Sequence, residues 1–199
     1  MGLQIQDGTG SNRKASVNDQ NRLGVNSVVN SRISDISERE GKAFIIASGF
    51  INITTVGSFS AHTYIKNNSD EDLFIEAIRV CGDGGSGATG MNSVQTRIIK
   101  NPTTGTFFAT AVTAPGINSA KIGSSQEFIG DALVANTTGL TITNGSFMSN
   151  FTSHTPGHTI QSYAGAIILT KGASMILELN PSVAGNICTE IQCWFEKPF

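Results

Sequence analysis

The chain has 199 residues, a formal net charge of -2 and only 14% charged residues, against about 25% in typical soluble domains. This length predicts one domain with room for an appendage, and the near-neutral charge gives no sign of a nucleic-acid partner. The opening residues contain no apolar stretch that could form a signal-peptide core. The most apolar later run, residues 164–169, is far shorter than the ~18 residues needed to span a bilayer. We therefore expect a protein that is made in a cytoplasm and does not enter a membrane.

The chain changes character near Gly41. Residues 1–40 are mostly polar and carry no sustained apolar pattern, whereas the chain from Ala43 onward reads as short β-strands. We therefore divide it into an extended N-terminal arm, residues 1–40, and a β-sandwich domain, residues 41–199. Such an arm is expected to become ordered when it is laid across a partner, which couples ordering to assembly.

One short helix is predicted at the end of the arm. Ser37 and Glu40 match a capping box, which would start the helix at Ser37. Gly41 stands just past the predicted end, where glycine commonly terminates a helix.

Apolar or alternating runs between turn residues predict the strands of the domain. The residues from 113 to 159 read as loop-rich, with weak strands only at 127–134 and 139–143. A Lys-Gly pair at 171–172 is expected to turn the chain between two antiparallel strands. Many short strands favour an all-β, antiparallel sandwich or barrel. The clearer predicted strands are residues 43–48, 50–56, 60–67, 73–81, 94–101, 105–112, 159–169, 174–180 and 186–196.

In the predicted strand at residues 73–81, successive side chains are expected to point to opposite faces of the sheet. That alternation places Leu73 and Ile75 on one face and Glu76, Ile78 and Val80 on the other. The second face would then be mixed, as in a sandwich strand with one polar intrusion.

The three cysteines are expected to be reduced thiols. Cys188 and Cys193 lie in one predicted strand on opposite faces, so they cannot bridge each other. Cys81 ends another strand and could lie near either of them. An odd number of cysteines in a protein of cytoplasmic origin favours free, buried thiols, and without a Cys-x-x-Cys pair metal binding is a poor interpretation.

No pattern predicts a catalytic, cofactor-binding or metal site. Residues 82–87, GDGGSG, match a dinucleotide-binding string, but no helical pattern follows, so an inter-strand loop is favoured. His154 and His158 flank a Pro-Gly turn without a nearby carboxylate or cysteine, which favours surface residues over metal ligands. No serine lies in a nucleophile elbow, and the carboxylates at 70–72 cluster in a turn as solvated charges. We therefore expect a protein that is not an enzyme.

Four segments resemble a group of tailed-bacteriophage virion proteins, in which a "VN…NRL" arm leads into paired strands. The other shared patterns are an isoleucine-rich strand after "Y(I/L)KN", an "RNPTGGT"-like turn and an "LPKGSS"-like turn before the last strands. In this chain the segments are ASVNDQNRLGVNSVVNSRISDISEREGKAFIIASGFINIT, YIKNNSDEDLFIEAIRV, RIIKNPTTGT and AIILTKGASMILELNPSVAGN.

The resemblance implies a jelly-roll-like sandwich on the outer surface of a virion, where it acts as a capsid cement or decoration protein. Its partners would be the major capsid protein and other virion proteins, and a homotrimer would suit the local three-fold positions of a capsid. The arm residues expected to contact the partner are Arg13, Asn18, Asn21, Arg22 and Leu23.

Two alternatives stay open. The first is a collar, neck or tail-fibre-associated virion protein. The second is a carbohydrate-binding or receptor-binding module, because the loops of a sandwich can hold sugars on exposed aromatic rings. An aromatic content of 7% and a single tryptophan, Trp194, give this second alternative less support.

Overall fold

The computed structural model describes residues 32–82, 92–155 and 157–197, together with the backbone of two short strands nearer the N-terminus. These two strands, β1 (Ser16–Val17) and β2 (Leu23–Gly24), pair antiparallel. They belong to a first unit, Met1–Ser31, and all the other described residues belong to a second unit, Arg32–Phe199.

Strands β3 to β14 of the second unit form two antiparallel sheets. Their bounds are β3 (Ala43–Ala47), β4 (Ile51–Ile53), β5 (Ser60–Asn67), β6 (Asp72–Gly82), β7 (Asn92–Lys100), β8 (Val112–Thr113), β9 (Gly116–Ser119), β10 (Gly130–Val134), β11 (Ser146–Thr155), β12 (Gly157–Leu169), β13 (Ser174–Pro181) and β14 (Gly185–Glu196). Sheet 1 has the order β11-β7-β13-β5-β10-β8. Sheet 2 has the order β12-β6-β14-β3-β9, and β4 also pairs with β14. The predicted all-β, antiparallel sandwich is confirmed.

The connectivity is that of a jelly roll. Eight strands pair as a nested set: β3 with β14, β5 with β13, β6 with β12, and β7 with β11. Successive pairs alternate between sheet 2 and sheet 1, which is how a chain rolls up into two packed sheets. Strands β8 to β10 are inserted between β7 and β11, and β10 and β9 extend the sheets beside β5 and β3.

The main core lies between the two sheets, and a bulge in β6 corrects one sequence expectation. Opposite β14, Ala77 faces Gln192 while Ile75 faces Cys193, so the residue between them is extra. A bulge of this kind changes the face on which the following residues point. The buried side chains Leu73, Ile75, Ile78 and Val80 therefore belong to one core cluster. The predicted division of these residues between two faces is wrong.

Helix α1 (Arg32–Glu40) covers part of the outer face of sheet 2. Its Ile36 packs with Ala43 and Trp194, and the Trp194 indole stacks on Phe74 with ring centroids 5.3 Å apart. Apolar contact of this kind holds a short helix that could not persist alone in water. Residues 32–40, placed in the arm by the sequence pattern, thus lie in the second unit.

The sequence predicts the end of α1 correctly but not its beginning. Gly41 follows the last residue with a φ of 68°, and its N–H donates to the carbonyls of Ile36 and Ser37 at 3.1 and 3.2 Å. The predicted stop is confirmed, and the left-handed φ explains why glycine stands there. Ser37 is an interior residue of the helix, which begins at Arg32. The predicted start is therefore wrong.

The segment expected as a strand at 105–112 contains helix α2 (Thr106–Thr110) instead. Phe107 of this helix is fully buried on the outer face of sheet 1, in a cluster with Tyr64, Leu140 and Ile176. Burial of Phe107 against the sheet decides the local conformation there, because tertiary packing overrides weak strand propensity. Residues 139–143 were predicted as a weak strand but pair with no strand in the structure. They contribute to the same cluster on the outer face of sheet 1.

Two further expectations differ from the structure. The region read as loop-rich contains β11, a ten-residue strand. The Lys171–Gly172 pair does form a turn, but the strands that it joins, β12 and β13, lie in different sheets and do not pair with each other.

Candidate functional site

A small cluster of polar side chains is buried between the two sheets. Leu177 of β13 lies opposite Thr63 while the next residue lies opposite Ala61, so His62 is the extra residue of a bulge in β5. The bulge lets His62 and Thr63 both face the interior. Thr63 Oγ1 is 2.7 Å from Thr189 Oγ1 of β14 and 2.8 Å from His62 Nδ1.

The environment of His62 favours a neutral imidazole. The side chain is only 1% exposed, and burial lowers its pKa to about 4, because a charged ring is poorly solvated there. Its Nε2 has no hydrogen-bond partner among the described residues. General-base catalysis needs a substrate within hydrogen-bond reach of the base, and an imidazole closed off from solvent offers no such access. We therefore interpret the cluster as a structural contact.

The cysteines require a correction. Cys81 of β6 and Cys188 of β14 are direct cross-strand partners and form a disulfide, with Cα atoms 5.3 Å apart. The expectation of three free thiols is therefore wrong, because the register of two strands distant in sequence brings this pair together. The predicted absence of a Cys188–Cys193 bridge is confirmed, since Cys193 is free and buried. Burial raises the pKa of the Cys193 thiol, which makes it a poor nucleophile.

The charged turn and the exposed histidines do not combine into a site. Lys171 Nζ donates to Asp70 at 2.5 Å, and Lys42 Nζ donates to Glu71 at 2.6 Å. The hydrogen bond from Lys171 holds the pKa of Asp70 below its usual value. His154 lies on β11 and His158 on β12, both exposed. Across the described ranges, no group of three or more His, Cys, Asp or Glu side chains could hold a metal ion.

The two lateral sides of the sandwich differ in the length of their edge strands. One side ends in β8 and β9, of two and four residues, whereas the other ends in β11 and β12, of ten and thirteen residues. Within the part of the chain that the structure describes, neither β11 nor β12 pairs with a further strand on its outer side. Long edge strands present a row of backbone N–H and C=O groups with which another chain can pair.

These long edges lack the charges that commonly protect a sheet edge. Residues 132–170 contain no Asp, Glu, Lys or Arg. Phe147 and Met148 on β11 and Ile160 and Ile168 on β12 are exposed instead, with Phe147 at 61% and Ile160 at 54%. The pairing of each strand is interrupted once, by one extra residue in β11 and by residues 163–166 in β12, which is a partial protection. We call the outer sides of β11 and β12, with these four side chains, the uncharged edge.

The sequence pattern predicts a loop where β11 lies, so sequence reasoning does not find the uncharged edge. The arm residues predicted to contact a partner, Arg13, Asn18, Asn21 and Arg22, lie outside the described residues, and of Leu23 only the backbone in β2 is described. The GDGGSG string lies outside them too, apart from Gly82 at the end of β6. The absence of charge from residues 132–170 was the available signal for the edge.

The chain matches no protein-family model, no curated protein and no solved structure. Among the described residues, no helix is long and apolar enough to cross a membrane.

Proposed function

We propose that the protein is a non-enzymatic structural protein of a bacteriophage virion that binds the outer capsid surface and stabilises it as a decoration protein. In this proposal it acts as a homotrimer, and its partners are the major capsid protein and other virion proteins. The observation that carries the proposal is the uncharged edge, because a surface of this kind favours protein contact over solvent.

The composition of the uncharged edge supports assembly. A charged side chain at a contact must be desolvated or paired, which costs free energy when the partner is not complementary. Strands without charge avoid this cost, and exposed apolar groups such as Phe147 and Ile160 contribute roughly 25 cal/mol for each Å² that a neighbour covers. In a cyclic trimer each edge would meet a different surface of the next copy.

Two further observations support the virion assignment. Jelly rolls are a recurrent architecture of viral capsid proteins, although a fold alone does not fix a function. The sequence segments that resemble phage virion proteins include the one that contains β3 and β4 and the one that contains the turn before β13. The arm residues Arg13, Asn18, Asn21, Arg22 and Leu23 are proposed to contact the capsid protein, beyond the reach of the sandwich.

The test is to add the full chain to undecorated capsids and to measure occupancy and the temperature of genome release. A ligand that binds only the intact shell stabilises it by about 2.7 kcal/mol per site at a hundredfold excess over Kd. A chain that begins at Arg32 keeps helix α1 and separates the contribution of residues 1–31. We expect it to stay folded and to bind more weakly than the full chain.

Matched lysine substitutions test the edge. Ile160→Lys places on β12 the residue that natural edges use against pairing, and we expect it to dissociate the trimer and to lower occupancy. Ile122→Lys makes the same change at a fully exposed position between β9 and β10, and we expect no effect. Equal effects of the two variants would show that the uncharged edge has no specific role in assembly. Full-length protein found only at the neck or tail of particles would replace the decoration proposal with the collar alternative.

A further inference from the structure

An open cleft lies beside β8, at the edge of sheet 1 opposite β11. Its walls come from residues 48–54, from strand β8 and from the segment that follows β10. Its volume is about 590 Å³, which is in the range of small-molecule sites. Phe50 lines the cleft and is 68% exposed, and Val112 and Pro115 contribute further apolar surface.

The polar groups of the cleft are amides and hydroxyls. Thr54, Asn136 and Thr137 are exposed in its walls. Among the described residues, none of these three side chains is engaged in a hydrogen bond. Together they supply both donors and acceptors. None of the residues that line the cleft is Asp, Glu, Lys, Arg or His.

The walls of the cleft are held in place by the fold. Ile51 of β4 pairs with Ile187 of β14, which fixes the strand that follows Phe50. On the opposite wall, Thr138 Oγ1 accepts from the Thr55 N–H at 3.0 Å, and the two threonine hydroxyls are also 3.0 Å apart. A cleft arranged in advance loses little conformational entropy when it binds a ligand.

This chemistry selects a class of ligand. Phosphate and carboxylate groups require cationic or helix-terminal partners, and the lining supplies no cation. An exposed aromatic ring offers an apolar face, against which the C–H face of a sugar ring can lie. Free Asn and Thr groups can then exchange hydrogen bonds with sugar hydroxyls, and jelly rolls also occur as lectin domains. We propose that this cleft binds a neutral saccharide, with Phe50 as the stacking platform and Asn136 and Thr137 as hydrogen-bond partners.

The test uses the full chain and a panel of oligosaccharides. The neutral probes are maltohexaose, cellohexaose, mannohexaose and hexa-N-acetylchitohexaose, and the charged probes are sialyllactose and hexagalacturonate. Binding is measured by saturation-transfer NMR and by calorimetric titration. We expect at least one neutral probe to bind with a Kd below about 1 mM and the charged probes not to bind.

Two phenylalanine variants locate the site. Phe50→Ala should weaken binding of that probe at least tenfold. Phe147→Ala makes the same change at a similarly exposed phenylalanine on β11 and should leave binding unchanged, with circular dichroism confirming that both variants are folded. The proposal is overturned if no neutral probe binds, if only charged probes bind, or if both variants reduce binding equally. Because the cleft and the uncharged edge share no residue, these outcomes do not depend on capsid binding.

Discussion

Thr63 of sheet 1 and Thr189 of sheet 2 are joined across the interior by a 2.7 Å contact between their hydroxyl oxygens. Both residues are fully buried, and the backbone of Thr189 is tied to Ser48: the Thr189 N–H donates to Ser48 Oγ, and the Ser48 N–H donates to the Thr189 carbonyl, both at 2.9 Å. A sheet shifted from this alignment would leave buried hydroxyls without partners, at a cost of roughly 1–3 kcal/mol each. The contact therefore favours one alignment of the two sheets over others that an apolar interior would tolerate.

The buried imidazole beside this contact makes stability depend on pH. The pKa of His62 is about 4 in the folded protein against 6.5 for the unperturbed group, so the unfolded chain binds more protons between these values. Stability should be unaffected by His62 above pH 6.5 and should fall as the pH drops toward 4. The full loss is about 3 kcal/mol. Urea unfolding at pH 7.5 and at pH 4.5 measures this change.

The matched variant for this prediction is His62→Gln, which cannot titrate. Its free energy of unfolding should change less between the two pH values than that of the parent chain. Carboxylates titrate equally in both proteins, so the difference isolates His62. A His62→Gln variant that retained the parent's pH dependence would contradict the assignment.

The disulfide predicts a labelling pattern. After unfolding without reductant, an alkylating reagent should modify only Cys193, because Cys81 and Cys188 are bonded. After reduction all three cysteines should react. Reduction should also lower the free energy of unfolding by about 4 kcal/mol, because the bond closes a long loop in the unfolded chain. Intact-mass spectrometry reads out the labels, and three labels without reductant would contradict the bond.

Truncating the buried side chain of α1 should loosen the helix from sheet 2. Ile36→Ala should destabilise the protein by about 2–4 kcal/mol, because it removes apolar contacts and leaves a cavity beside Trp194. As Trp194 is the single tryptophan, its fluorescence reports the change directly. Glu38→Ala, on the exposed side of the helix, should stay within about 0.5 kcal/mol; an equal loss in both variants would argue against docking through Ile36.

Gly105, which precedes α2, should not accept a side chain. It has a φ of 135°, and an added Cβ would stand 2.2 Å from the Thr141 carbonyl oxygen. Gly57→Ala provides the control, since Gly57 also has a positive φ, of 74°, but faces open space. The control should lose about 1–2 kcal/mol, and Gly105→Ala should lose about 3 kcal/mol or more. Thermal unfolding compares the stability of the two variants. Similar losses would mean that the segment around Thr141 moves away from the added side chain at little cost.

The sequence predicted the strands whose apolar character is strong. Residues 43–48 and 174–180 are examples, and they coincide with β3 and β13 within one residue. Strand β11 escaped notice because SFMSNFTSHT is rich in Ser, Thr and Asn and shows little apolar alternation. The bulges in β5 and β6 could not be predicted either, since they arise from pairing with distant strands.

The candidate surfaces were harder to predict than the fold. The pairing of Cys81 with Cys188 depends on a register that no local pattern encodes. The cleft that Phe50 lines joins residues 48–54 with residues 112–115 and 134–138 of the insertion between β7 and β11, so its members are not neighbours in sequence. The lack of charge in residues 132–170 can be seen in the sequence. It indicates an interaction surface only when β11 and β12 are known to be edge strands.

The nested pairing of β3 with β14 has a consequence for synthesis. Strand β3 is among the first parts of the domain to leave a ribosome, and β14 is among the last. Sheet 2 therefore cannot close until β14 has been synthesised, and contacts so distant in sequence form slowly. In the meantime the emerging β3 and β6 expose apolar faces that can associate with other chains. We expect the yield of folded protein to depend strongly on the growth temperature and on the chaperones that bind the nascent chain.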